Sequence, residues 1–208
     1  MGDDSPVISS AYPVLVKPVF EKVNVKWKGG ESTNSVEDSF SKVESSFPGF
    51  AHDFVMQLIR AADLPVVSLN ESVLRLESSH DSDGLRINRT EEVFQDLNRK
   101  ASNLKKILSR IPDEISDRRL FLETIKEIAS AIKKLLDCVH LVSELIANPQ
   151  GRQVLEQRKK EFVKFSKRFS NTLKDFFKDG QVSAVFYSAN CLINQTNLIL
   201  QTVKEKSE

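Results

Sequence analysis

Long apolar runs, clustered cysteines and abundant glycine or proline are all missing from this 208-residue chain, and each absence removes a class of protein. No apolar stretch reaches the length of a bilayer span, so a helix threaded through a membrane is not expected. No basic-then-apolar leader is read at the start, which makes the expected location cytoplasmic. Met1-Gly2-Asp3-Asp4-Ser5-Pro6 resembles a myristoylation signal but carries proline where that motif takes Ser or Thr, so no lipid anchor is inferred. Without a secretory route, the sequons at Asn70, Asn88 and Asn194 are expected to stay unmodified. Cys138 and Cys191 are the only cysteines and sit inside apolar runs, with His52, His80 and His140 the only histidines. That inventory indicates neither a disulfide framework nor zinc ligation, and the cysteines read as reduced packing residues.

Catalytic arrangements are missing too. There is no Gly-rich phosphate loop, no His-Glu-x-x-His and no Gly-x-Ser-x-Gly. Asp113, Glu114 and Asp117 gather at a helix start, where carboxylates are favourable simply through the helix dipole. The expectation is a protein that is not an enzyme and has no cofactor or metal. Seven Gly and seven Pro, against plentiful Leu, Ile, Glu and Lys, favour helix over a turn-rich sheet. The net charge of +1 conceals an asymmetry: residues 1–93 hold 9 Lys and Arg against 15 Asp and Glu, residues 94–208 hold 21 against 14. The halves are expected to meet different partners. Nucleic acid is not among them, because the excess of +7 is moderate and the aromatics are spaced as core rather than among the lysines.

Helical periodicity dominates the second half. Phe94, Leu97, Ala101, Leu104, Ile107, Leu108 and Ile111 step by three or four until Pro112. Asp113 or Ser116 can cap a second helix whose inward stripe is Leu120, Ile125, Ile128, Ile132, Leu135, Val139, Val142 and Ile146, broken at Asn148-Pro149-Gln150-Gly151. A third runs from about Arg152 to Lys178 with Leu155, Phe162, Phe165, Phe169, Leu173 and Phe176 inward, ended by Asp179-Gly180. The fourth starts at Val182 and buries Val185, Phe186, Ala189, Leu192, Ile193, Thr196, Ile199, Leu200 and Val203. Four such helices with short connections predict an antiparallel bundle over 94–208.

The first half is less regular. Residues 1–10 are expected to be disordered, 11–77 to form a small helical domain, and 78–93 to link the halves. Lys28 to Asn34 reads as a loop. Val36, Phe40, Val43 and Phe47 keep helical spacing before Pro48-Gly49, as do Phe50, Phe54, Val55, Leu58 and Ile59 after it, and Asn70 is placed as the cap of a last short helix. These apolar faces are too small to bury fully within such a domain, so a second chain is expected to complete it. The predicted fold class is therefore all-α, a small helical dimerisation domain joined by a linker to a four-helix bundle.

One pattern occurs twice: Lys126, Ala129, Lys133 and Lys167, Ser170, Lys174 each place a small residue between two lysines on one helix face. Side by side, the two trios would form a furrow floored by small residues and walled by ammonium groups, suited to an acidic amphipathic helix. Lysines on an outer helix face are also commonplace solvation, and the spacing alone does not separate the readings. Lys160, Lys164 and Lys178 extend the second trio into a basic stripe, which leaves binding of phosphoinositide membranes as an alternative.

Phe94-Gln95-Asp96-Leu97-Asn98, Ile111-Pro112-Asp113-Glu114-Ile115, Ile125-Lys126-Glu127-Ile128-Ala129-Ser130-Ala131-Ile132-Lys133 and Gln195-Thr196-Asn197-Leu198-Ile199-Leu200-Gln201-Thr202 carry a resemblance. With Lys160-Glu161-Phe162-Val163-Lys164 and Phe177-Lys178-Asp179-Gly180, they make the chain similar to the programmed cell death protein ten family, also called cerebral cavernous malformation protein three. The resemblance implies a cytoplasmic adaptor, with Golgi and plasma-membrane or junction association, linking kinase signalling to cell junctions, cytoskeleton and survival. It implies an amino-terminal part that forms a homodimer, or a heterodimer with the tail of kinases of the third germinal-centre subfamily. It implies a carboxy-terminal bundle similar to the focal-adhesion-targeting domain, taking leucine-aspartate (LD) motif helices of paxillin type, a malformation-complex adaptor, or striatin. The family's groove corresponds to Lys126, Ala129, Lys133, Lys167, Ser170 and Lys174, and its dimer interface to Val36, Ser39, Leu58 and Ile59. The loop from Lys26 to Asn34 departs from the family pattern, and Ser39 stands where the family has a small apolar residue.

Overall fold

The computed structural model describes residues 8, 11–17, 19–20, 31–64, 68–77 and 85–207, and no strand occurs among them. The expected disordered segment 1–10, Ile8 apart, lies outside the described residues, as do 26–30 of the loop and 78–84 of the linker. The chain divides into two compact units, residues 1–73 and 74–208.

The first unit opens with a π-helical stretch, Ala11–Val16, followed by α1 (Glu31–Ser46), α2 (Phe50–Ala61) and the start of α3 (Leu69–Glu77). Phe40 of α1 is its centre, with ring centroids 5.8 Å from Tyr12, 5.1 Å from Phe50 and 5.4 Å from Phe54. The turn into α2 needs glycine, since Gly49 has φ 98°. Glycine brings no capping side chain, and the Glu44 carboxylate supplies one by accepting from the N–H groups of Gly49 (3.0 Å) and Ala51 (2.7 Å). Two expectations are corrected here. Glu31 to Asn34, read as loop, form the first turn of α1. Asn70 lies inside α3, and the Ser68 hydroxyl accepts from the Glu71 N–H instead, at 3.3 Å.

The second unit holds α4 (Glu92–Ser109), the single turn α5 (Ile111–Glu114), α6 (Arg118–Leu145), α7 (Pro149–Asp179) and α8 (Val182–Ser207). The four long helices alternate in direction and close a ring in which α4 packs heavily on α6 and α7 on α8, while the α6–α7 and α8–α4 seams are lighter. Phe94, Phe121, Phe162 and Phe169 are fully buried, each contributing roughly 1.5–3 kcal/mol through burial. Every position of α8 expected to face inward is buried. On α6, Leu120 is 41% exposed and Phe121 takes the core position expected of it. Neither Asp113 nor Ser116 caps α6: Asp117 does, accepting from the N–H groups of Arg119 (2.9 Å) and Leu120 (3.1 Å).

Gly151, expected in a helix break, is buried in the first turn of α7, which starts at Pro149 behind the Asn148 cap. A Cβ there would meet Ile146 Cγ2 at 3.1 Å and Lys206 Cβ at 3.3 Å, so glycine lets the ends of α6 and α8 pack closely on the start of α7. Gly180, φ 74°, ends α7 as its pattern predicts. Ile87, inside the stretch read as linker, is fully buried in the bundle core.

Candidate partner-binding surfaces

α6 and α7 meet through Phe121 and Phe176, whose rings pack edge to face at 5.7 Å. Helices pointing opposite ways stay in step at the same rise per residue, so counting from that pair sets Lys126 about level with Ser170 and Asn171. Lys133 then lies about level with Lys164, which the sequence grouped with the lipid-facing lysines. All six residues of the two trios are exposed. The inward side of the same helices is occupied by Ile128, Leu135, Phe162, Phe169 and Leu173, so the trios lie on the outer surface of α6 and α7.

The electrostatics are one-sided. Among the described residues, the side chains of Lys126, Lys133, Lys167 and Lys174 make no ion pair. Glu127, the carboxylate next to Lys126, is held by Arg110 at 3.0 Å. Lys178 differs, sitting 3.7 Å from Asp175, while Lys160 and Lys164 are exposed and unpaired among the described residues. The Ser170 hydroxyl donates to the Ser166 carbonyl at 3.0 Å, which turns it back onto its own helix. The carboxylates at the start of α6 are likewise engaged: Asp117 in the cap, Asp113 with Arg75, and Glu114 with Arg110 at 2.9 Å.

The first unit presents a different surface. Val36 is 55% and Leu58 54% exposed, Ile59 is half-buried, and the Ser39 hydroxyl donates to the Ser35 carbonyl at 2.7 Å. Phe47, at 70% exposure, and Leu64 join them, neither of which the sequence placed at the dimer interface. Phe47 fell on the apolar period of α1, so the pattern gave it an inward position that the small unit cannot provide. Residues 4–65 match the family model described as "Programmed cell death protein 10, dimerisation domain", and 67–156 match "Programmed cell death protein 10, C-terminal". The chain is also 38% identical over 201 residues to the Caenorhabditis elegans "Programmed cell death protein 10 homolog", spanning 94% of this chain and 93% of the relative. The chain belongs to the programmed cell death protein 10 family.

Membership covers both units and gives the first a dimerisation domain, which fits an adaptor or scaffold role. Neither matched model is a catalytic domain. Among the described residues no group of three or more His, Cys, Asp or Glu side chains is placed to hold a metal. No described helix is long and apolar enough to cross a membrane.

Proposed function

We propose that this protein is a two-ended adaptor. Its first unit pairs with a second copy, or with the helical tail of a kinase of the third germinal-centre subfamily, and its bundle takes a helix bearing leucines and aspartates along α6 and α7. The observation that carries the second half is the row of four unpaired, exposed ammonium groups flanking Ala129 and Ser170 on two helices joined by a light seam. Leucines of the incoming helix would seat over the two small residues and its aspartates would meet the lysines. LD helices of paxillin type, a malformation-complex adaptor and striatin are the partners the family resemblance supplies.

Exposed ion pairs are worth about 0.2–1 kcal/mol each, so the floor matters at least as much as any one lysine. Ala129→Asp and Ser170→Asp each add bulk and reverse the local charge at positions that bury nothing in the core. Each is expected to abolish binding of an LD peptide in a fluorescence titration while the thermal transition is unchanged. Wild-type affinity in both variants would remove the surface from consideration.

The basic stripe of α7 supports membrane recruitment through phosphoinositides as the second reading, carried by the exposed Lys160 and Lys164. Peptide binding without lipid separates the two.

A further inference from the structure

Lys105 of α4 is only 5% exposed, and a lysine so buried ordinarily has a partner, because an unsolvated ammonium is costly. Among the described residues its side chain makes neither an ion pair nor a hydrogen bond. It borders a cavity of about 500 Å³ instead, bounded by Leu85 and Arg86 ahead of α4 and by Leu200 of α8. Arg99 and Lys106 of α4 also line it, and no carboxylate is among the described lining residues. Arg99 reaches Asp96 at 3.3 Å, whereas Arg86 and Lys106 are exposed and make no ion pair or hydrogen bond among the described residues.

The rest of the lining narrows what can answer that charge. Leu85 and Leu200 are aliphatic and come from elements other than α4, so a ligand made only of charge would leave them uncovered. Asn103 is exposed and without a hydrogen bond among the described residues, and its amide offers a donor and an acceptor together. A peptide backbone uses both, because each residue brings its own N–H and C=O.

The segment leading into α4 is fixed in advance. Asn98 accepts from the Ile87 N–H at 3.2 Å and donates to its carbonyl at 3.0 Å, while Gln95 donates to the carbonyls of Ile87 (3.3 Å) and Arg89 (2.6 Å). With Ile87 fully buried, the backbone carrying Leu85 and Arg86 is strapped down, and a ligand need not order it.

We infer that this cavity is a docking site for a short extended segment of a partner protein in which acidic and apolar residues alternate. Successive side chains of an extended segment point to opposite sides, so its carboxylates can turn to Lys105 and the other cations of α4 while the apolar residues between them meet Leu85 and Leu200. The cavity is too small for a helix, and it shares no residue with the α6–α7 surface. It therefore takes a different kind of ligand from the one proposed for that surface, and stands or falls separately from it.

An NMR titration of the full chain with an acetylated, amidated hexapeptide of alternating Glu and Leu tests the inference, since six residues are too few to hold a helix. Saturable shifts of the α4 amides around Lys105 are expected, and none with the same peptide carrying Gln for Glu. Lys105→Met keeps the buried stem, removes the charge, and should raise the Kd at least about tenfold. Ala129→Asp should bind the peptide as wild type does. If Lys105→Met does not fold, the exposed pair Arg86→Ala with Lys106→Ala carries the test and should show the same loss. Absence of saturable binding, equal binding of the Gln peptide, undiminished affinity in the folded cavity variants, or loss of binding in Ala129→Asp each overturns the inference. Saturable binding of inorganic pyrophosphate with none of the Glu peptide overturns it too, by making the cavity a site for bare anions.

Discussion

Asp96 shows how one side chain's surroundings set its contribution. Hydrogen bonding to Lys100, supported by Arg99, holds its carboxyl below the usual carboxylate range despite partial burial. A lowered folded-state pKa means the carboxylate stabilises the fold at all pH above its unfolded value, and that stabilisation is lost as pH falls through the folded value. Asp96→Asn is therefore expected to melt below wild type near neutral pH, with the two melting curves converging in strong acid. Parallel curves across the whole range would show that charge at this position is immaterial. The opposite case is Cys138, whose thiol is pushed up to about 11 by burial and by the negative charge of Asp96. It donates to the Val93 carbonyl at 3.6 Å. The sequence placed this cysteine in the core from its apolar neighbours, but not beside Asp96, because the two residues meet only when α4 and α6 pack.

At the scale of the element, periodicity located the helices well and their ends less well. All nine inward positions of α8 are buried because the helix is enclosed by α7 and α4 along its length, so a register error would have cost core contacts everywhere. The start of α6 is different. Leu120 and Phe121 are neighbours that either register could bury, and Phe121 is chosen by the rings of Phe176 and Phe177 that reach it from α7. The cap follows the same logic: Asp113, Ser116 and Asp117 are all competent residues, and the turn of α5 leaves Asp117 in the extended conformation that capping needs. Asp117→Ala is expected to cost about 1 kcal/mol in urea denaturation, with Asp117→Asn close to wild type. Equal stability of all three proteins would mean the cap is dispensable.

For the whole molecule, the contrast lies between a bundle that satisfies itself and a first unit that does not. The bundle fully buries Phe94, Phe121, Phe162 and Phe169, whereas Val36, Phe47, Leu58 and Leu64 each keep more than half of their surface in water. That is apolar area a second chain would cover, in line with the dimerisation domain matched at residues 4–65. Leu58→Asp is expected to halve the mass measured by light scattering after size-exclusion chromatography while the bundle's thermal transition persists. An unchanged oligomeric mass would take Leu58 out of the interface.

Read alone, the sequence determined the all-α class, the four bundle helices and the paired lysine trios, because each depends on spacing within one segment, which the chain itself carries. The relative level of the trios, the choice of Phe121 over Leu120 and the burial of Ile87 were decided by packing between segments. So was the basic cavity. Arg86, Arg99, Lys105 and Lys106 do not stand out along the chain, and nothing local distinguishes Lys105 from any surface lysine. Only the packing of the bundle, with Ile87 and Arg89 fastened by Gln95 and Asn98, leaves it 5% exposed.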